Sequence, residues 1–142
     1  YGSMEDPVNP LLYVLGYGCR FVAQGTPADM AQLGSLIEEG IRFPGFAFIN
    51  VQSPCVTYGE PDSQLKVQKQ RMRTLESLGH DPTDRIKAMD LAQHYATDLY
   101  TGVFYRDPNP PPHFGEYVAE RQANIGAARE RERVLDLFRP AS

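Results

Sequence analysis

The sequence predicts an α/β fold in which a helix connects two parallel strands. Three consecutive segments support this: an alternating stretch at 19–24, an amphipathic helical pattern that begins near Thr26, and a continuous apolar run at 46–51. A strand, a helix and a second strand in this order indicate parallel pairing through a right-handed crossover. We therefore expect a small, mainly parallel sheet of two or three strands with helices packed around it.

The crossover helix has a well-marked start and end. Thr26 is a preferred N-cap residue, Pro27 suits the first helical position, and Asp29 stands three residues after the cap. Pro44-Gly45 is a typical stop signal. Apolar residues recur at helical spacing, which predicts one buried face. They are Met30, Leu33, Ile37 and Ile41.

The apolar run at 46–51 lacks polar alternation, which is typical of a buried strand in a parallel sheet. It ends in a polar turn that contains Cys55, and Pro54 fixes the backbone just before the thiol. In open α/β sheets ligands bind beyond the carboxyl ends of the strands. Cys55 is therefore the residue at which chemistry is expected.

The second half of the chain is more polar and predicts further helices and one strand. Its patterns indicate a surface helix at 64–78, a capping turn at 81–84 and a helix from Arg85 to about Thr97. A strand at 101–106 and a rigid Pro-rich connection at 107–112 follow. The chain then has a charged C-terminal helical region about 114–138, in two segments at 114–124 and 127–138.

Composition excludes several classes of protein. The 142 residues suit one domain with its own core, and 42% hydrophobic content argues against a disordered chain. A net charge of −4 argues against general binding of nucleic acid or a membrane surface. No apolar run approaches the roughly 20 residues that a bilayer helix needs, and no signal peptide is visible. Two cysteines make no disulfide framework, so a reducing, cytoplasmic setting is expected.

Spacing alone leaves three interpretations of Cys55: a nucleophile, a metal ligand or a buried structural thiol. The structural thiol is favoured, because an isolated cysteine is often a small buried hydrophobe. The histidines His80, His94 and His113 stand at no recognisable spacing from it, and no C-x-x-C pair is present. Cys19 lies among apolar residues and is interpreted as a packing residue.

Thr57 and Tyr58 follow Cys55 and could donate hydrogen bonds toward a sulfur or an anion there. They could equally be ordinary turn residues. No residue of the chain is assigned a catalytic role from its pattern.

Six segments together resemble the C-terminal part of the β subunit of 2-oxoacid:ferredoxin oxidoreductases, the thiamine-diphosphate enzymes that oxidatively decarboxylate 2-oxoacids. They occur in the family's order and cover nearly all of residues 5–115. The Pro-Cys-Val-Thr version of the fourth segment resembles the 2-oxoglutarate-type branch, whereas Tyr58-Gly59 departs from the Phe-Asn commonly found after it. The segments are Glu5-Asp-Pro-Val-Asn-Pro10, Gly18-Cys-Arg-Phe-Val-Ala-Gln-Gly25, Pro44-Gly-Phe-Ala-Phe-Ile-Asn-Val51, Ser53-Pro-Cys-Val-Thr57, Asp81-Pro-Thr-Asp-Arg85 and Gly102-Val-Phe-Tyr-Arg106.

The resemblance implies a ligand role for Cys55. In this family three cysteines near the N-terminus of the β subunit and one distant cysteine hold a [4Fe-4S] cluster, and Cys55 matches the fourth position. The resemblance thus implies that Cys55 is a thiolate ligand in the intact subunit, with Thr57 as a supporting hydrogen-bond donor.

The resemblance also implies the reaction and its participants. A 2-oxoacid, with 2-oxoglutarate expected, is oxidised on thiamine diphosphate and Mg²⁺ to an acyl-CoA, and electrons pass through the cluster to ferredoxin. The β subunit works with an α subunit. The implied fold is part of a three-layer α/β/α thiamine-diphosphate-binding domain.

The family's Gly-Asp-Gly motif, its later Asn and its first three cluster cysteines would precede residue 1, and this sequence contains none of them. We therefore expect residues 1–142 to be the C-terminal portion of a thiamine-diphosphate-binding domain. Alone, it should bind neither cofactor tightly and have no oxidoreductase activity. Apolar surface and sheet edge left uncovered should lead to self-association.

Two rival functions remain open from the sequence. One is a non-catalytic assembly module, in which the Pro-rich segment at 107–112 and the charged C-terminal helix dock a partner subunit. The other is a small hydrolase with Cys55 as nucleophile, which requires a histidine within hydrogen-bond reach of the thiol.

Overall fold

One sheet runs through the part of the chain that the structure describes, and it has four strands in the order β2-β1-β4-β3. The computed structural model describes residues 4–5, 7–57, 59–94 and 98–125. Strands β1 and β2 are parallel, as are β3 and β4, whereas β1 and β4 are antiparallel. The mainly parallel α/β sheet is thus confirmed, but the expected two or three strands become four. The strands are β1 (Phe21–Gly25), β2 (Ala47–Val51), β3 (Met72–Thr74) and β4 (Leu99–Arg106).

Five α-helices are found among the described residues: α1 (Pro10–Gly16), α2 (Met30–Arg42), α3 (Pro61–Arg71), α4 (Arg85–Gln93) and α5 (Phe114–Ile125). None of these helices is long and apolar enough to cross a membrane. The chain divides into two units, Tyr1–Pro110 and Pro111–Ser142, and each is described by itself. Helix α5 belongs to the second unit and confirms the helix expected at 114–124; the helix expected at 127–138 lies outside the described residues.

The strand–helix–strand unit forms as predicted, with two successive caps at its helix. The Thr26 hydroxyl accepts a hydrogen bond from the Ala28 N–H and starts a 3₁₀ turn at Pro27–Asp29. The Asp29 carboxylate then accepts from the Gln32 N–H at 3.0 Å and starts α2. Each side-chain oxygen satisfies a backbone donor that the helix itself leaves without a partner.

The buried face predicted for α2 is wrong in three of its four residues. Met30, Ile37 and Ile41 are exposed, and only Leu33 is buried. Gly40 explains the difference, because a Cβ atom there would lie 2.8 Å from Cδ1 of Ile49 on β2. The missing side chain lets the helix approach β2 closely, so α2 turns Leu33, Leu36 and Gly40 toward the sheet.

Strand β2 is parallel to β1, as predicted, but it is not a buried strand. It lies at one edge of the sheet, its first four residues are half-buried, and Val51 is exposed. An apolar run reports how hydrophobic a strand is, and its place in the sheet depends on which neighbours are present. Within the described residues β2 pairs on one side only, with β1.

Apolar side chains pack on both faces of the sheet, which gives three layers. Side chains of β1 alternate between the faces, with Val22 on the side of α1 and α4 and with Phe21 and Ala23 on the side of α2. The first core contains Leu11, Leu15, Cys19, Val22, Leu75, Ala88, Ala92, Phe104 and Tyr105. The second contains Phe21, Ala23, Leu36 and Phe43.

Several boundaries in the polar segments differ from expectation. The helix expected at 64–78 begins at Pro61 and ends at Arg71, and the rest forms β3 and a 3₁₀ turn at Glu76–Leu78. Helix α4 ends at Gln93, and residues 95–97 lie outside the described residues. The strands also shift, since β1 begins at Phe21 and β4 begins at Leu99. Helix α1 was not predicted, although Asn9-Pro10 is a good start signal whose Asn9 caps the Leu12 N–H.

Candidate functional site

Cys55 lies in an exposed loop just beyond the carboxyl end of β2, where the sequence predicted a site. The loop leaves the strand in register, because the Gln52 N–H still donates to the Gly25 carbonyl of β1 at 2.9 Å. Cys55 and Thr57 are both exposed, and Tyr58 lies outside the described residues. The expectation of a buried structural thiol at Cys55 is therefore wrong, since a buried thiol would have packed into a core as Cys19 does.

The side chain of Gln64 on α3 holds the backbone of Cys55 from both sides. The Cys55 N–H donates to Oε1 of Gln64 at 2.9 Å, and Nε2 of Gln64 donates to the Cys55 carbonyl at 3.0 Å. One primary amide thus satisfies a donor and an acceptor of the same residue, as a neighbouring strand would. The backbone of Cys55 is fixed by this pair, although the residue is exposed.

A second glutamine, Gln68, ties the start of the same loop to the end of β1. Its Nε2 donates to the Gln52 carbonyl at 3.1 Å, and its Oε1 accepts from the Thr26 hydroxyl. Gln64 and Gln68 stand one helical turn apart on α3, so both amides face the loop. Helix α3 thereby acts as a support for residues 52–55.

The start of α3 is fixed by Glu60. Its carboxylate accepts from the backbone N–H of Ser63 at 2.7 Å and of Asp62 at 3.2 Å, and Pro61 occupies the first helical turn. Hydrogen bonds from the Ser63 backbone and side chain, and then from the Asp62 backbone, hold the pKa of Glu60 below its ordinary value of 4.5. The negative charge also suits the positive end of the helix dipole.

Beneath the loop, the buried amide of Gln24 connects the ends of three strands. Its Oε1 accepts from Nδ2 of Asn50 at 2.6 Å and from Nε2 of Gln52 at 3.3 Å, and its Nε2 donates to the Tyr100 carbonyl at 2.7 Å. Gln24 is only 1% exposed, and these bonds satisfy it. The network gives the loop a rigid base.

Sequence reasoning missed these glutamines. A polar residue at the end of an otherwise apolar strand, such as Gln24, marks a possible buried network, and an i, i+4 pair such as Gln64 and Gln68 marks one helix face. Both signals are present in the sequence. They could not be connected to Cys55 before the position of α3 was known.

The structure places Cys19 and His80 away from this loop. Cys19 is buried, and its Sγ donates to the Phe21 carbonyl at 3.2 Å, so its interpretation as a packing residue is confirmed. Nε2 of His80 lies 2.7 Å from the Phe104 carbonyl on β4 and does not contact Cys55 through that nitrogen. His94 is the C-cap of α4, and His113 belongs to the second unit.

The described residues contain no group of three or more His, Cys, Asp or Glu side chains that could hold a metal ion. A [4Fe-4S] cluster needs four thiolates. Cys55 fits the place of one ligand, because its thiol is exposed and its backbone is fixed, but the described residues do not supply a complete cluster site.

The fold and the site define an α/β domain that presents one exposed thiol on a clamped loop at the carboxyl end of a parallel strand pair. Comparison with known proteins identifies relatives of this domain. The sequence model for the C-terminal region of the pyruvate ferredoxin oxidoreductase beta subunit matches residues 55–122, and the match begins at Cys55.

Curated relatives agree with that match. The chain is 30% identical over 119 residues to the 2-oxoacid:ferredoxin oxidoreductase subunit beta of Sulfolobus sp, with 77% of this chain and 39% of that protein covered. It is 41% identical over 58 residues to the 2-oxoglutarate synthase subunit KorB of Methanocaldococcus jannaschii, with 41% of this chain and 22% of that protein covered.

A solved structure of the 2-oxoglutarate:ferredoxin oxidoreductase from Magnetococcus marinus, with 2-oxoglutarate, coenzyme A and succinyl-CoA bound, is similar to this chain with a TM-score of 0.77 and 28% identity. The alignment covers 99% of this chain and 47% of that one. The chain is therefore similar to 2-oxoacid:ferredoxin oxidoreductase β subunits, and the resemblance to their C-terminal part is confirmed. The chain spans about two-fifths of the length of the first curated relative.

Proposed function

We propose that this chain is the C-terminal part of the β subunit of a 2-oxoacid:ferredoxin oxidoreductase that converts 2-oxoglutarate to succinyl-CoA. The choice of 2-oxoglutarate is supported by the KorB relative and by the compounds named in the solved Magnetococcus marinus structure. It is also supported by the Pro-Cys-Val-Thr segment that contains Cys55. The partners in this proposal are an α subunit and ferredoxin, in a reducing cytoplasm where an exposed thiol persists.

Cys55 is the residue that carries the proposal, as one thiolate ligand of a [4Fe-4S] cluster. The observation behind it is the exposed thiol on a backbone that Gln64 holds at both its donor and its acceptor. A structural cysteine has no need of such a clamp, whereas a ligand must keep its sulfur in one place. Thr57, two residues further in the same exposed turn, is proposed as a supporting donor.

In the intact enzyme, thiamine diphosphate with Mg²⁺ would supply the electron sink for decarboxylation and the cluster a single-electron acceptor. This chain's own residues fix the position of one sulfur. Gln64 orients the Cys55 backbone, Gln68 anchors the start of the loop, and Gln24 holds the strand ends beneath it. Because the loop is anchored before a ligand binds, little conformational entropy is lost on binding.

The remaining ligands of the cluster and the groups that bind the diphosphate are proposed to come from other parts of the β subunit and from the α subunit. It follows that the isolated 142-residue chain should bind neither cofactor tightly and should not reduce ferredoxin.

The proposal is tested in the full-length β subunit that contains this sequence, co-expressed anaerobically with its α subunit. Wild type, Cys55→Ala and Cys55→Ser are compared by iron and sulfide content and by 2-oxoglutarate-dependent ferredoxin reduction. We expect Cys55→Ala to lose the cluster and electron transfer, and Cys55→Ser to keep part of the cluster, because a hydroxyl is a weaker ligand.

Cys19→Ala is the matched control, since it removes the other thiol of the chain from a buried position. It should lower stability while the iron content per folded subunit stays unchanged. Full iron content and unchanged turnover in Cys55→Ala would refute the ligand role and return Cys55 to an ordinary surface residue.

A second candidate function, a module for subunit assembly, is favoured by the exposed apolar side chains of α2 at Met30, Ile37 and Ile41. It predicts that Ile37→Ser with Ile41→Ser releases the α subunit while Cys55→Ala does not. The two functions are compatible, and the pair of variants separates them.

A further inference from the structure

A pocket of about 350 Å³ lies on the α2 side of the sheet, against the start of β4, and does not include Cys55. Its walls come from α2, from the segment after β3 and from β4. Its polar lining residues include Gln32, Ser35, Glu39, Glu76, His80 and Thr101.

Buried side-chain atoms that lack a hydrogen-bond partner are concentrated in this pocket. Among the described residues there are three such atoms, and all three belong to residues that line it: Oε1 of Gln32, Nδ1 of His80 and Oγ1 of Thr101. Thr101 is 0% exposed, so bulk solvent does not satisfy its hydroxyl. A buried polar atom without a partner destabilises the folded state, so three at one place point to a missing partner.

The chemistry of the three atoms is that of a hydrogen-bond acceptor site. Nε2 of His80 lies 2.7 Å from the Phe104 carbonyl, which can only accept, so in the neutral ring Nε2 carries the proton and Nδ1 is left as an acceptor. Oε1 of Gln32 is an acceptor as well, and the Thr101 hydroxyl can serve either role.

The charges around the pocket favour a cation over an anion. Glu39 and Glu76 line it, and no Lys or Arg is found among its described lining residues. One Glu39 oxygen is engaged by Nη2 of Arg106 at 2.6 Å, and Glu76 lies at the exposed rim. A positively charged group with several hydrogen-bond donors would suit both the unpaired acceptor atoms and the negative charge of the two glutamates.

Gly102 lines the pocket next to Thr101 and has an unusual backbone conformation. Its φ of +122° lies in a region that other residues rarely adopt, and a Cβ there would lie 3.5 Å from Cβ of Leu75. A side chain at position 102 would therefore strain the backbone beside Thr101.

We propose that this pocket binds a small organic cation of the guanidinium or ammonium type, with Thr101, Gln32 and His80 as its hydrogen-bond partners. The cation is either a free small molecule or the basic side chain of a partner subunit. The site stands independently of the function proposed for Cys55.

The test uses the 142-residue chain and N-methylguanidinium chloride as the probe, with potassium acetate as the matched anion. Binding is followed by NMR shifts of Thr101, Gly102 and the His80 ring. We expect a saturable shift with methylguanidinium and none with acetate. Thr101→Val should weaken binding roughly fivefold, the size of one net hydrogen bond, and Gln32→Glu should strengthen it severalfold.

Ser35→Ala is the matched control, because Ser35 lines the same pocket but its hydroxyl already donates to the Ala31 carbonyl at 3.1 Å. It should leave binding unchanged. Three outcomes would overturn the proposal: no saturable shift, equal binding of acetate, or binding that neither Thr101→Val nor Gln32→Glu alters. Each would show that the three buried atoms do not form a site for an organic cation.

Addition of the α subunit distinguishes the two sources of the cation. If the subunit abolishes probe binding and produces the same Thr101 shift by itself, a basic side chain of the partner occupies the pocket. If probe binding persists in the complex, the occupant is a free small molecule.

Discussion

The amide of Gln64 pairs with both backbone polar groups of Cys55, at 2.9 Å to its N–H and 3.0 Å to its carbonyl. The two bonds reproduce the exchange between neighbouring strands at a position where, among the described residues, no strand lies beside the loop. They hold the backbone of Cys55, the proposed cluster ligand, in one conformation.

Removal of this clamp should loosen the loop without unfolding the domain. In Gln64→Ala both bonds to Cys55 are lost, and we expect its amide to exchange with solvent about tenfold faster. Hydrogen exchange followed by NMR measures this. Gln70→Ala is the matched control, because Gln70 is an exposed glutamine of the same helix and should leave the Cys55 amide unchanged.

Gly59 is the second residue on which the clamp depends. A Cβ atom built on Gly59 would collide with Nε2 of Gln64, so Gly59→Ala should displace that amide and reproduce the effect of Gln64→Ala. The double variant should be no worse than either single one, since both remove the same two bonds. Additive effects on Cys55 exchange would contradict this coupling.

Gly34→Ala provides the control for the glycine substitution itself. Gly34 lies within α2 with open space around its Cα, and its substitution should stabilise the chain by about 0.5–1 kcal/mol through helix propensity. If Gly59→Ala acts through a clash, the melting temperature should rise in Gly34→Ala and fall in Gly59→Ala.

Acid should weaken the support beneath the Cys55 loop. The pKa of Glu60 is lowered by its bonds to Ser63 and Asp62, so its cap contributes stability above the ordinary value of 4.5 and loses it as pH falls through the lower folded value. We expect the Cα shifts of Asp62 and Ser63 to move away from helical values in that window. Glu60→Gln should largely remove this pH dependence; if it persists, another group controls the first turn of α3.

Local chemistry made part of this fold predictable. The crossover helix starts at Thr26 and Asp29 because their side chains satisfy nearby backbone donors, and those contacts are encoded within four residues. The loop that contains Cys55 was predicted from the apolar strand before it, whereas spacing alone favoured a buried thiol there and not the exposed one that is found. These features depend on neighbours in sequence.

The features that the sequence did not predict depend on distant contacts. The face of α2 is set by the close approach of Gly40 to Ile49, and three-residue β3 exists because β4 lies beside it. The Gln64 clamp needs α3 and the Cys55 loop to meet in space. None of these has a periodic signal along the chain, so tertiary packing decided them.

Arg85 should be a strong determinant of stability. Its Nη1 donates to the Leu15 carbonyl at 2.8 Å and its Nη2 to the Cys19 carbonyl at 3.0 Å, while the guanidinium lies 4.0 Å from the centroid of the Tyr105 ring. Arg85→Lys loses the planar fork and should cost about 1–2 kcal/mol, and Arg85→Ala about 2–3 kcal/mol. Urea unfolding measures both.

Arg42→Ala is the comparison for Arg85, because the Arg42 guanidinium forms an exposed i, i+4 ion pair with Glu38. It should cost less than about 1 kcal/mol. Equal losses for the two arginines would mean that the carbonyl contacts of Arg85 contribute little beyond an ordinary surface charge.

The exposed apolar face of α2 should drive the self-association expected from the sequence. Met30, Ile37 and Ile41 lie on one side of the helix at spacings of seven and four residues, and Ile41 is 78% exposed. Burial of such side chains between two copies gives a favourable contact of roughly 1.5 kcal/mol or more for each. Sedimentation equilibrium of the 142-residue chain should show oligomers at high concentration, and Ile37→Ser with Ile41→Ser should shift the population toward monomer. Val67→Ser, at an exposed apolar position on α3, should not. If the wild type stays monomeric throughout, or if Val67→Ser has the same effect, the association does not use this face of α2.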